Sequence, residues 1–86
     1  MDDEGIRARI EELEDEERRL RNDERKVADV GRRDVLASDR ARLAEIKVEL
    51  NRLWDFLRQR QARRNAGQDP DDAKLRDAGT VENYLG

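Results

Sequence analysis

Two sets of apolar residues at helical spacing, with one glycine between them, constrain this chain more than any other feature. Ile6, Ile10, Leu13, Leu20 and Val27 form the first set; Leu36, Leu43, Ile46, Leu50, Leu53 and Leu57 form the second. Steps of three, four and seven residues bring each set onto one side of an α-helix. Gly31, lying between them, is the residue type that ends helices in the left-handed conformation. The chain therefore reads as all-α: an antiparallel two-helix hairpin, coiled-coil-like, over residues 1–67, with a short helical tail over 68–86. Helix 1 is expected over about 3–30 and helix 2 over about 34–66, spanning roughly 40 and 50 Å at 1.5 Å per residue.

Local signals place the ends. Asp2 or Asp3 caps helix 1, where a carboxylate accepts from free N–H groups and suits the positive end of the dipole. Arg32 and Arg33 form the turn and Asp34 caps helix 2, with Ser38-Asp39 as the alternative cap. Gly67 stops helix 2. Folding about residues 32–33 sets Ile10 against Trp54 and Leu57, Leu13 against Leu50 and Leu53, Leu20 against Ile46, and Val27 against Leu36. Glu17 and Glu24 interrupt the first stripe. There they weaken the seam, or pair with arginines of helix 2 or of a second chain and fix the register. In the tail, Asp69-Pro70 is a helix-start signal, giving a short helix from 70 to about 76 that Gly79 breaks. Val81, Tyr84 and Leu85 are spaced to form one apolar edge.

Charged residues make up 48% of the chain and aromatics 3%, a balance close to that of disordered sequence. The sustained periodicity argues for folding instead. A hairpin that buries one stripe per helix leaves its flanks wet. A four-helix dimer covers more apolar surface, worth ~25 cal/mol per Å², so a homodimer is expected.

The chain has no cysteine and no histidine. That removes disulfides, zinc–thiolate sites, thiol nucleophiles and the usual near-neutral general base. Ser38 and Thr80 are the sole hydroxyl residues of their types, and neither has a histidine to activate it. No enzyme activity, cofactor or metal is expected. The acidic run Glu11 to Glu17 lacks the histidines of a di-metal bundle, and Asp69, Asp71 and Asp72 lack the spacing of a calcium loop. Both read as solvated faces and caps. No stretch approaches the ~20 apolar residues that span a bilayer, and the acidic N-terminus is unlike a signal peptide. No membrane partner is therefore expected, and the cytoplasm is the expected compartment.

Charge is unevenly spread. Residues 1–30 hold twelve acids against seven bases, residues 31–68 five against ten, and residues 69–86 five against two. The basic excess culminates in Arg58, Arg60, Arg63 and Arg64 at the end of helix 2. Arginine binds phosphate in bidentate fashion, so these four are candidate contacts to nucleic acid, nucleotide or an acidic protein. The structural alternative is simpler. Arginines complement a helix C-terminus, and the hairpin puts them beside Asp2, Asp3 and Glu4. Trp54 and Phe56 are candidates for an interaction face, together with Tyr84 and Leu85. Trp54 widens the stripe beside Leu53 and Leu57. Phe56 points away from the seam, so it needs cover from the Val81–Leu85 segment or from another subunit. Asp55 is exposed by phase, or pairs with Arg58 or Gln59 one turn on.

Three motifs in order carry a resemblance: Trp54 to Arg60 (Trp-Asp-Phe-Leu-Arg-Gln-Arg), Gly67 to Asp71 (Gly-Gln-Asp-Pro-Asp) and Val81 to Leu85 (Val-Glu-Asn-Tyr-Leu). With the opening Ile6 to Glu17, the chain resembles a family of small actinobacterial proteins carrying a domain of unknown function. Relatives often have a histidine where this chain has Arg18 and a cysteine where it has Leu53. The resemblance implies a helical hairpin and supplies no catalytic residues.

The expected role is a non-enzymatic protein–protein interaction module that self-associates or binds a helical partner. The alternative is a nucleic-acid- or transcription-associated factor that uses the arginine cluster.

Overall fold

The structure is a computed structural model that describes the backbone of residues 1–28 and 33–85 and the side chains of residues 1–22 and 37–82. Helix α1 runs Asp3–Ala28 and helix α2 Arg33–Asn65. A single 3-10 turn follows at Pro70–Asp72, and helix α3 covers Ala78–Leu85. The described residues contain no strand. The molecule measures 56 × 25 × 15 Å, close to the length of its longest helix. The expected turn at Gly31 and Arg32 lies outside the described residues, as do the side chains of Glu24, Val27, Asp34 and Leu36 and hence the pairing of Val27 with Leu36. Arg33, expected in the turn, is the first residue of α2, so Asp34 stands inside the first turn of that helix and not at the cap position before it.

Helix α1 begins and helix α2 ends where their capping residues place them. The Asp2 carboxylate accepts from the Gly5 N–H at 2.8 Å, and the Asp2 carbonyl accepts from the Ile6 N–H at 3.0 Å. Asp2 is therefore the N-cap of α1. At the end of α2 the Gln68 N–H reaches the Arg63 carbonyl at 2.7 Å and the Gly67 N–H the Arg64 carbonyl at 3.1 Å. These are the two bonds of a Schellman motif, and they require the φ of +73° that Gly67 adopts.

The core lies between α1 and α2. Ile6, Ile10, Leu13, Ile46, Leu53, Phe56 and Leu57 form one buried cluster, with Leu20 and Leu50 packed partly against it. Two arginine forks lock the helices along one flank. Arg9 of α1 donates to both carboxylate oxygens of Glu49 at 3.0 and 3.4 Å. Arg42 of α2 donates to both oxygens of Glu16 at 2.6 and 2.9 Å. Bidentate geometry makes such pairs orienting as well as attractive. Glu17, which the stripe put in the seam, turns instead to Arg21 one turn along its own helix, at 3.8 Å.

Phe56 and Trp54 depart from expectation in opposite directions. Phe56 is 9% exposed and belongs to the core, whereas Trp54 is 49% exposed and does not face Ile10. Asp55, expected either exposed or paired with Arg58 or Gln59, is 6% exposed; it accepts from the Gln59 side chain at 3.0 Å, as the second alternative has it, and also pairs with Arg76 at 3.2 Å. The reason is the tail. Residues 73–77 lie along α2 on the Phe56 side, where Gln59 donates to the Lys74 carbonyl at 2.8 Å and Arg52 to the Arg76 carbonyl at 2.9 Å. This widens the buried arc of α2 towards Phe56 and leaves Trp54 at its opposite edge.

The tail also differs from its expected helix over 70–76. The Asp69 carboxylate caps Pro70–Asp72 as expected, accepting from the Asp71 N–H at 2.9 Å, but Ala73 is already extended. Beyond it the Lys74 and Arg76 carbonyls are taken by α2 side chains, so they serve docking in place of another helical turn. Gly79 does not break a helix. It sits in the first turn of α3, where Asp77 caps the start by accepting from the Thr80 N–H at 2.8 Å. A glycine costs little next to a cap compared with a helix interior. Val81 is fully buried; the side chains of Tyr84 and Leu85 lie outside the described residues.

Candidate interaction surface

The four candidate arginines at the end of α2 divide into two pairs. Arg60 is 5% exposed and turned inward. Its Nε donates to Asp3 at 2.6 Å, and its Nη1 reaches Asp71 at 3.1 Å and the Pro70 carbonyl at 3.2 Å. Arg64 donates to the other Asp3 oxygen at 2.6 Å. The hydrogen bonds from Arg64 and Arg60 hold the Asp3 carboxyl below its ordinary value, and Asp3 with Asp71 keeps the Arg60 guanidinium protonated. One buried cation thus ties together the start of α1, the end of α2 and the 3-10 turn. A charge buried this far requires such partners. These bonds correspond to the structural reading of the cluster.

Arg58 is exposed and Arg63 half-buried. They line a shallow depression of about 520 Å³ with Gln59, Gln68, Asp55 and Arg76. Arg76 is committed to Asp55 there. The arginine cluster is therefore not one continuous site, because its two halves face different environments.

The larger concave feature is an apolar groove of about 730 Å³ along α2. Val48, Leu53 and Phe56 of α2 line it, with Met1 and Arg9 from the α1 end and Leu75 from the tail. Leu75 is 46% exposed and Met1 is more exposed still. The groove continues the flank that the tail covers farther along α2. From Arg42 to Phe56 it extends about 21 Å, or four helical turns. Its edges carry both signs of charge, from the Arg9–Glu49 and Arg42–Glu16 forks and from Glu45 and Arg52. Arg52 uses its Nε on the Arg76 carbonyl. Trp54 does not line the groove.

Val48, Arg52 and Leu75 were not among the residues singled out from sequence. A signal for the first two exists: Ala41, Glu45, Val48 and Arg52 recur at steps of four, three and four, a second stripe beside the main one. Two charged members hid it. Leu75 carries no sequence signal at all, because it lies in an extended segment.

Among the described residues no group of acidic side chains is arranged to hold a metal ion, and no helix is long and apolar enough to cross a membrane. Residues 2–86 match the family described as Protein of unknown function (DUF2630). The chain belongs to that family. It is similar to uncharacterised proteins of Mycobacterium bovis and Mycobacterium tuberculosis, each 44% identical over 50 residues. The match covers 58% of this chain and 58% of each relative, so the chain spans less than two thirds of the curated relatives it matches. No solved structure matches it. Neither the family nor these relatives indicate an enzymatic activity.

Proposed function

We propose that the chain is a non-enzymatic, cytoplasmic interaction module that self-associates through the groove along α2. The observation that carries this reading is a four-turn apolar flank on the longest helix, with the exposed Leu75 and Met1 on its walls. Burial of such a strip is favourable at ~25 cal/mol per Å², and a helix is the element whose width and periodicity fit it. The mixed-sign edges suit a partner that also carries both signs, as a second copy does. Light scattering across a dilution series tests the reading. The expected mass is about twice the 10.1 kDa of one chain. A single-chain mass at every concentration overturns it.

A second reading, contact with nucleic-acid phosphate, draws its support from Arg58 and Arg63 beside the shallow depression. It predicts salt-dependent retention on nucleic acid that Arg58→Glu with Arg63→Glu abolishes. Retention unaffected by that double change rules it out.

A further inference from the structure

The stripe that borders the groove has a direction. Its N-terminal half is small, with Ala41 and Ala44, and carries the acid Glu45. Its C-terminal half is bulky, with Phe56 and the neighbouring Leu75, and carries the base Arg52. Val48 lies in the middle. Two such stripes laid parallel on a two-fold axis set Glu45 on Glu45, Arg52 on Arg52 and bulk on bulk. Like charges held face to face and crowded side chains are both unfavourable. Laid antiparallel, each bulky half meets a small one and each acid meets a base. That is the self-complementarity of an isologous contact, in which residue i meets j and j meets i.

Resting on the self-association reading above, we propose that α2 of a second copy lies antiparallel in the groove, on a two-fold axis passing between Val48 and Glu49. Glu45 then pairs with Arg52 of the partner subunit, and Arg52 with Glu45 of the partner subunit. Phe56 sits beside the partner subunit's Ala41, and the arriving helix covers Leu75. Arg52 suits this role because, among the described residues, its one hydrogen bond is from Nε to the Arg76 carbonyl, so the two terminal nitrogens of its fork, whose charge also acts on Asp77, still have donors for a carboxylate. Glu45 is bonded to Arg42 at 3.2 Å by a single contact on its own helix, which leaves its second oxygen to accept. The axis puts Val48 of both copies at the centre beside Glu49, whose carboxylate is already held by Arg9 of its own chain, and sets the Glu45–Arg52 pairs on either side.

The chain is free of cysteine, so one introduced thiol reports one position. Val48→Cys should form a covalent dimer on mild oxidation, because both copies of the residue lie at the axis. Trp54→Cys, on the opposite flank of α2, should not. Glu45→Arg and Arg52→Glu should each weaken dimerisation by about tenfold or more, with the double variant recovering most of the loss. Glu45 is exposed and bonded only to Arg42 of its own helix among the described residues, so its reversal is the cleaner test; Arg52→Glu also removes the anchor on the Arg76 carbonyl, so hydrogen exchange over residues 73–85 is followed in it and in the double variant to separate tail undocking from lost pairing. A wild-type chain that is single at every concentration removes both the self-association reading and this register. A wild-type dimer whose Val48→Cys variant stays uncrosslinked, whose Trp54→Cys variant crosslinks, or whose double charge variant fails to recover overturns the register and leaves self-association standing.

Discussion

The two flanks of α2 carry aromatic residues two positions apart, and the structure treats them oppositely. Phe56 is 9% exposed, belonging to the core with one edge open to the groove beside the tail; Trp54, on the other flank, is half exposed. Both are large and apolar, so hydrophobicity alone does not decide which is buried. What decides is where the tail docks. Arg52, Gln59 and Asp55 supply the polar anchors for residues 74–76 on the Phe56 side, and the buried arc of α2 follows those anchors.

The largest effect expected from this comparison is at Phe56. Phe56→Ala should cost about 3 kcal/mol or more, as for a buried aromatic in a packed core, while Trp54→Ala should stay within about 0.5 kcal/mol. Urea unfolding of both variants checks the contrast, and equal costs would break it. Next is the tail. Val81→Asp places a carboxylate where a fully buried side chain sits, and should remove about 2 kcal/mol of docking. Hydrogen exchange should then rise in α3 while α1 and α2 stay protected. If protection falls throughout, the tail is part of one cooperative core and the flanks are less independent than they look.

A smaller effect belongs to Gly67. No atom lies within 4 Å of the position a Cβ would take, so Gly67→Ala meets only the backbone cost of a φ of +73°. That cost is about 1 kcal/mol, read as a lowered midpoint with an unchanged urea slope. Smallest is the response to acid. Asp3, Glu16 and Asp77 are held below their ordinary values by Arg64 and Arg60, by Arg42 and by the Thr80 N–H, respectively. A lowered folded-state value stabilises above the unfolded one and is lost as pH falls through the folded value. Thermal midpoints should therefore hold steady near neutrality, where the chain has no histidine to titrate. They should decline only below the ordinary carboxyl values of 4.5 and 3.8. A decline beginning near neutrality would contradict the assignment.

Much of the hairpin was legible because helical periodicity and end signals are local. Asp2, Gly67 and the core residues Ile6, Ile10, Leu13, Ile46, Leu53 and Leu57, with Leu20 and Leu50 beside them, follow directly from spacing and capping; Leu43, on the same stripe, is half-buried outside that cluster. So did the pairing of Asp3 with the arginine end, since an antiparallel hairpin must bring its acidic start to its basic finish. The tail was legible only in part. Asp69-Pro70 announced a turn, but the extended leg after Asp72 depends on side chains of α2 more than ten residues away. Gly79 hides helix α3 from the sequence pattern, because the start of that helix is set by the Asp77 cap before the glycine. The groove was hidden by Glu45 and Arg52, whose charges broke the apolar pattern that marks a surface for burial.

Arg60 reaches across 57 residues of sequence to Asp3. Closing so large a loop has a high entropic cost until α1 and α2 have already come together. The bond therefore belongs to the last stage of assembly, after the barrier has been crossed. Replacing Arg60 should leave the refolding rate nearly untouched and accelerate unfolding instead. The residue is a latch on the lifetime of the native state, set at the end where the hairpin would begin to open.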